Sequence, residues 1–184
     1  MAQRFPELSD RLIRFINEQH LFFVGTATDT SRVNISPKGM DSLRIINKNR
    51  IIWLNVTGSG NETAGHIQFN PRMTLMFCAF SGSPMILRVY GKAQAIHKKD
   101  PQWQQFYPLF DPLPGARQIF ILDIDLVQTS CGMAVPYYEY TGEREQLNDW
   151  AEKKGDAGIE TYWRDKNSLT IDDIATDIID KNIS

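Results

Sequence analysis

The stretch Asn55-Val-Thr-Gly-Ser-Gly-Asn-Glu-Thr-Ala-Gly-His66 joins an apolar run, Ile51-Ile52-Trp53-Leu54, to a short segment with helical character, Glu62 to Phe69. Ser59 and Glu62 stand in the S-x-x-E relation of a capping box. A helix start carries unpaired backbone N–H groups and the positive end of a dipole. Glycines at 58 and 60 allow a sharp turn and a close ligand approach. The hydroxyls of Thr57, Ser59 and Thr63 and the Asn61 amide add hydrogen-bonding capacity. Such a loop can seat a phosphate; a capped surface turn without a ligand is the alternative. The resemblance to the dinucleotide fingerprint G-x-G-x-x-G is partial. The third glycine is missing, and the next strand enters a tight hairpin rather than a βαβ crossover.

Working outward, the chain changes period several times. Leu8 to Gln19 reads as an amphipathic helix, with Leu8, Leu12, Ile13, Phe15 and Ile16 on one face. Phe22 to Thr28 reads as a strand, and Arg32 to Ser36 alternates as a half-buried strand should, ending at Pro37-Lys38-Gly39. Leu43 to Ile46 and Ile51 to Val56 flank the turn Asn47-Lys48-Asn49. Met73 to Phe80 and Ile86 to Ile96 flank Ser81-Gly-Ser-Pro84. Ile119 to Val127 supplies a seventh strand. Asp100 and Pro101 predict the N-cap and first residue of a helix reaching Phe106. Many strands, tight turns and few long helices predict a mainly β protein, an antiparallel barrel with peripheral helices. From Thr141 the chain is charged, with helices expected over Glu143 to Lys153 and Gly158 to Lys166. We therefore expect a barrel domain over residues 1–140 and a helical extension, 141–184, packed on it.

Bulk properties narrow the function. The chain has 184 residues, 42% hydrophobic and 23% charged, with a formal net charge of -2, which suits a single soluble domain and disfavours a dedicated nucleic-acid binder. Cys78 and Cys131 stand far apart, and no C-x-x-C or Cys/His cluster suggests a metal. No apolar run approaches a membrane span and the N-terminus is polar, so a cytoplasmic protein is expected.

Several side chains carry two readings. Lys38, on the turn Ser36-Pro37-Lys38-Gly39, is either a solvated lysine or a cation facing an anionic ligand. Arg32 and Arg88 lie inside strand patterns, on the solvent face or aimed at a charge they neutralise. Arg72 could serve a phosphate or cap a carbonyl, and His66 falls close behind the glycine loop. Trp103, Tyr107 and Phe110 form a cluster that packs in a core or covers a flat ligand.

Taken in order, Val33-Asn-Ile-Ser-Pro-Lys-Gly39, Ile52 to Ile67, Asn70 to Ala93 with its closing Arg88-Val-Tyr-Gly91, and Ser130-Cys-Gly-Met-Ala-Val-Pro136 resemble the pyridoxamine 5'-phosphate oxidase-like superfamily of FMN-binding split barrels. The resemblance spans roughly residues 7 to 136. It implies an antiparallel Greek-key split barrel and a homodimer holding two FMN molecules at its interface. It implies that Ser36, Pro37 and Lys38 meet the flavin ring edge or ribityl chain. Thr57, Gly58, Ser59, Gly60, Asn61 and Thr63 would form the phosphate loop, and Arg88 would complete the site from a neighbouring strand or the second subunit. The vitamin-B6 oxidase carries an arginine-and-lysine pair near its phosphate loop; here the loop is Ser59-Gly-Asn-Glu-Thr63, with an acid in the middle. The expected activity is that of an FMN-dependent oxidoreductase acting on a small molecule, with no general acid or base standing out. The alternative is a non-catalytic flavin- or haem-binding carrier, sensor or stress protein. A deazaflavin would suit the same slot.

Overall fold

The computed structural model describes residues 2–183. Eight strands form one antiparallel sheet: β1 (Gln3–Phe5), β2 (Phe22–Thr26), β3 (Asn34–Lys38), β4 (Leu43–Asn47), β5 (Arg50–Val56), β6 (Arg72–Cys78), β7 (Ile86–His97) and β8 (Ala116–Ser130). The order across the sheet is β3-β2-β6-β7-β8-β5-β4, with β1 paired to the far end of β8. The pairings β2–β6 and β5–β8 skip over intervening elements, the crossovers of a Greek key. β3 and β4 terminate the order, so the barrel is split rather than closed. Pro37 sits in edge strand β3, where a missing N–H costs no ladder bond on the open side.

Helix α1 (Asp10–Asn17) begins where the Ser9 hydroxyl accepts from the Leu12 N–H at 3.4 Å. It buries Leu12, Phe15 and Ile16 in a core shared with Phe22, Val24, Trp53, Leu75, Phe77 and Phe120. Helix α2 (Glu62–Phe69), between β5 and β6, has the bounds its sequence predicts. A second cluster forms on the opposite face of β5 and β8, from Ile52, Leu54, Ile96, Ile119 and Ile121 with Trp103, Phe106 and Phe110. Both faces of these two strands are therefore covered. That is why Ile51–Leu54 and Ile119–Leu122 read as unbroken apolar runs rather than alternations. Trp103, Tyr107 and Phe110 belong to this second packing unit, so the flat-ligand reading of that cluster gives way to core packing.

Three expectations need correction. Asp100 does not cap a helix: its carboxylate accepts from the His97 N–H at 2.7 Å, and α3 (Trp103–Phe106) starts later, behind Gln102. The last strand is longer than Ile119 to Val127, because residues 116–118 still pair with β5 and 128–130 with β7. β1 has no counterpart in the sequence reading, since three polar-to-apolar residues carry no periodic signal.

Beyond β8, α4 (Gln146–Tyr162) is broken at Gly155, whose φ of 62° and ψ of 173° only glycine adopts easily. A wider π-type turn, Trp163–Asn167, and α5 (Ile178–Asn182) follow. Trp163, Ile159, Ala151 and Ile178 form a third apolar cluster.

Candidate functional site

The alternation of β3 divides its residues. Val24 pairs with Ser36, and Phe22 with Lys38, so Asn34, Ser36 and Lys38 share the face that carries the core. Beyond the end of β2 that face opens into a cavity of about 450 Å³, within the range of small-molecule sites. Ser36, Pro37, Lys38, Thr57, Gly58, Ser59, Gly60, Asn61 and Thr63 all line it. The two separate stretches singled out in the sequence thus meet on one cavity. Leu54, Val56, Leu113 and Leu147 give it apolar wall.

The loop is not held by the predicted capping box. Asn61 occupies the N-cap of α2 without a side-chain capping bond, and Glu62 instead accepts from the Ile171 N–H at 3.1 Å. The carboxylate has been recruited by the C-terminal segment. Thr57 is also corrected: its hydroxyl donates to the Gly115 carbonyl at 2.7 Å and accepts from the Trp163 indole N–H at 2.8 Å. It shapes the loop and has no hydrogen left for a ligand. Thr63 accepts from the Asn34 amide at 3.4 Å and keeps its own hydrogen available. The carbonyls of Gly58 and Gly60 are bonded to Asn167 and Arg117 at 3.0 and 2.7 Å, while the N–H groups of Gly58 to Asn61 have no acceptor among the described residues. Asn61 donates through its amide nitrogen to the Asn167 carbonyl at 3.3 Å, and its buried amide oxygen has no partner among the described residues. A ligand hydroxyl or N–H would satisfy it.

Arg117 is the residue that sequence reading missed. It lies one strand over on β8, lines the same cavity and is 3% exposed. Its Nη1 donates to Asn167 Oδ1 at 2.8 Å and its Nη2 to the Gly60 carbonyl at 2.7 Å. No carboxylate among the described residues pairs with it. Burial lowers its pKa to about 9, against a smaller opposing pull from Tyr162. Lys38 is lowered to about 8, by burial first and by Arg117 second, with its ammonium 5.4 Å from the Trp53 ring centre. An arginine entering a fully buried strand must point at something polar, and that was the available signal. Starting the strand at Ile119 left Arg117 in the preceding turn.

Other candidates fall outside. Arg88 does not line the cavity: it lies on the opposite face of the sheet, donating to the Ser130 hydroxyl at 3.3 Å. Arg72 bonds the Asn70 side chain at 3.0 Å, and Arg32 forms an ion pair with Asp172. His66 is buried behind the loop, its Nδ1 3.2 Å from the Thr26 hydroxyl. A wider cavity of about 1040 Å³ adjoins the first and shares Gly39, Met40, Ser42 and Leu113 with it. Met40 and Asp41, in this partition, hold left-handed φ values of 62° and 49°. His20 and Tyr140 stack across the wider cavity's wall at 3.6 Å.

No helix among the described residues is long and apolar enough to cross a membrane. Residues 8–131 match the family profile described as pyridoxamine 5'-phosphate oxidase. A curated relative, the pyridoxamine 5'-phosphate oxidase family protein ustO of Aspergillus flavus, is 37% identical over 146 residues, 77% of this chain. The match spans 59% of that relative's length. Among solved structures, HupZ of Group A Streptococcus superposes with a TM-score of 0.53 at 18% identity, covering 65% of this chain and 91% of that one. A putative pyridoxamine 5'-phosphate oxidase from Lactobacillus delbrueckii gives a TM-score of 0.53 at 18% identity, over 67% and 94%. These two likenesses speak for the split-barrel fold, and the profile match and the fungal relative go further. Barrel, loop and sequence agree that the chain belongs to the pyridoxamine 5'-phosphate oxidase family.

Proposed function

We propose that the chain is an FMN-dependent oxidoreductase, active as a cytoplasmic homodimer on a small molecule. The observation that carries this reading is a pair of cations in one cavity, the half-buried Lys38 and the buried Arg117, with no carboxylate among the described residues paired to either. An uncompensated buried charge is costly, and an anionic ligand arm relieves the cost. The unpaired N–H groups of Gly58 to Asn61 add donors for the same anion. The Asn61 amide oxygen suits a hydroxyl of a sugar-alcohol chain, and Leu54, Val56 and Leu113 suit the flat apolar body of a ring system. These residues fit FMN. When bound, FMN would supply the two-electron chemistry; the protein's part is to hold, orient and electrostatically favour it. Lys38 or Arg117 placed near the ring would favour the anionic reduced form. The wider cavity beside Met40 and Ser42 offers a route for the second reactant.

A second reading, a flavin or haem carrier without turnover, rests on the engagement of the first cavity's carboxylate. The acid in the cavity, Glu62, is bonded to the Ile171 N–H. The deciding experiment is absorption spectroscopy of the purified protein with and without added FMN, followed by a nicotinamide donor. Bound flavin that is bleached by the donor and recovers in air supports the oxidoreductase. Bound flavin inert to both supports the carrier. A protein that takes up no FMN rules out both flavin readings.

A further inference from the structure

The surroundings of Arg117 are unusual in one respect: every partner is neutral. Asn167 Oδ1 accepts from Nη1 at 2.8 Å, and the Gly60 carbonyl accepts from Nη2 at 2.7 Å. With the Asn55 amide oriented by the donors around it, its oxygen accepts from Nε at 3.1 Å and from Nη2 at 3.2 Å. A guanidinium has five N–H donors, so these four contacts leave at least one for a ligand. A buried arginine ordinarily meets a carboxylate. Here the ionisable groups that act on its charge are the cation Lys38, which Arg117 itself repels, and Tyr162, and neither is a carboxylate. Glu62 in the same cavity is directed to Ile171.

Asn167 comes from the C-terminal segment, beyond the residues 8–131 that match the family profile. It is fully buried. Besides holding Arg117, its amide nitrogen donates to the Gly58 carbonyl at 3.0 Å. Its own carbonyl accepts from Asn61 at 3.3 Å and from Thr176 at 2.5 Å. One side chain therefore touches the cation and the glycine turn together. An aspartate would have nearly the same shape and would satisfy Arg117 more strongly, at the loss of the hydrogen bond to the Gly58 carbonyl.

We propose that Asn167, with Asn55 on the other side, is a specificity-determining positioning residue: it fixes Arg117 through neutral oxygens so that the guanidinium charge is left to a phosphate-bearing ligand. This rests on the flavin reading above. The ligand class it selects is a flavin with a dianionic arm over the same flavin without one. An internal carboxylate would close the charge balance within the protein and abolish that selection.

The test compares FMN with riboflavin by fluorescence titration of the whole chain at neutral pH, in wild type, Asn167→Asp, Asn55→Asp and Asn167→Ser. Wild type should prefer FMN. Each aspartate variant should lose about tenfold or more in FMN affinity and much less in riboflavin affinity, so the preference shrinks. Asn167→Ser keeps neutrality; it should weaken both flavins alike and retain the preference. A carboxylate beside an uncompensated cation should also leave at least one aspartate variant as heat-stable as wild type. If both aspartate variants keep the wild-type preference, the inference is wrong while the flavin reading stands. If Asn55→Asp, which leaves the Asn167–Gly58 bond in place, folds and keeps the wild-type preference, the inference is likewise wrong. If wild type binds neither flavin, both fall; if it binds both equally, the anion-selective role falls alone.

Discussion

Lys38 is the side chain whose titration gives the site its sharpest signature. Its pKa is about 8 in the fold against an ordinary 10.5, because burial and Arg117 both disfavour its charged form. Between those two values the unfolded chain binds a proton that the folded chain does not. Stability on this account is lowest below pH 8 and rises as pH increases through the interval. Anion affinity moves the opposite way, since the charge that attracts the phosphate is lost across the same range. FMN affinity should therefore be flat from about pH 7 to 8 and then fall, while the apoprotein gains heat stability. Lys38→Met should cost about tenfold in FMN affinity at neutral pH, raise apoprotein stability by roughly 1–2 kcal/mol and flatten both pH profiles below pH 9. Titrations and melts at several pH values check this. Unchanged affinity with unchanged profiles would remove Lys38 from the site. Lys38 was legible in the sequence because it stands between Pro37 and Gly39, where the strand pattern breaks, although the structure makes it the last residue of β3 rather than part of a turn. Asn55, Asn167 and Arg117 were not. Their importance lies in being buried together, and sequence spacing carries no record of contacts 50 residues apart or more.

Helix α2 shows where local signals hold and where tertiary demand overrides them. Its bounds were readable from the glycine loop before it and the Asn70-Pro71 pair after it. Its cap was not, because Ile171 offers Glu62 a backbone N–H that a local box cannot match. The same C-terminal segment packs on the helix at Gly65. A Cβ there would lie 2.5 Å from Thr170 Cγ2 and 3.3 Å from Ile174 Cγ2. In an exposed helix, Gly→Ala gains about 0.5–1 kcal/mol. Gly65→Ala should instead destabilise by about 1–3 kcal/mol, the range for overpacking. It should also weaken FMN binding, because Thr170 follows closely on Asn167 and the segment must move away from the loop. Thermal melts with limited proteolysis of the C-terminal segment test this. A higher melting temperature with intact binding would show that the helix and the segment are not coupled. The helical extension was visible from charge and composition, yet nothing in it announced that its turn at Trp163–Asn167 clasps the loop.

At the scale of the molecule, the proposed second copy would give Arg88 a part in the site that it lacks within one chain, where it bonds Ser130. The register places Pro37, Phe23, Met76, Arg88 and Gln128 in one row across five strands, and Ile35, Gly25, Thr74, Tyr90 and Leu126 in the next. Both rows lie on the face opposite Val24, Leu75 and Val89, which are in the core. Ile35 is 68% exposed and Val33 beside it 71%, while Phe23, Met76 and Tyr90 are half-buried. This broad, mainly apolar face is what a partner would cover. It borders the cavity, because β3 carries Ile35 outward and Ser36 and Lys38 inward. A copy docked there by a two-fold axis could bring its Arg88 toward this cavity and receive the reciprocal contact. The homodimer is thus a proposal with a defined surface. Ile35→Glu places a charge on that surface without entering the core, so the monomer should keep its fold. Sedimentation should give twice the 21.1 kDa chain mass for wild type and the chain mass alone for Ile35→Glu at micromolar concentration. FMN affinity should fall with dissociation, and Arg88→Ala should lower FMN affinity in a protein that remains dimeric. A dimeric Ile35→Glu protein would move the interface elsewhere. A monomeric wild type that binds FMN tightly would confine the whole site to one chain, leaving Arg88 a surface residue held by Ser130.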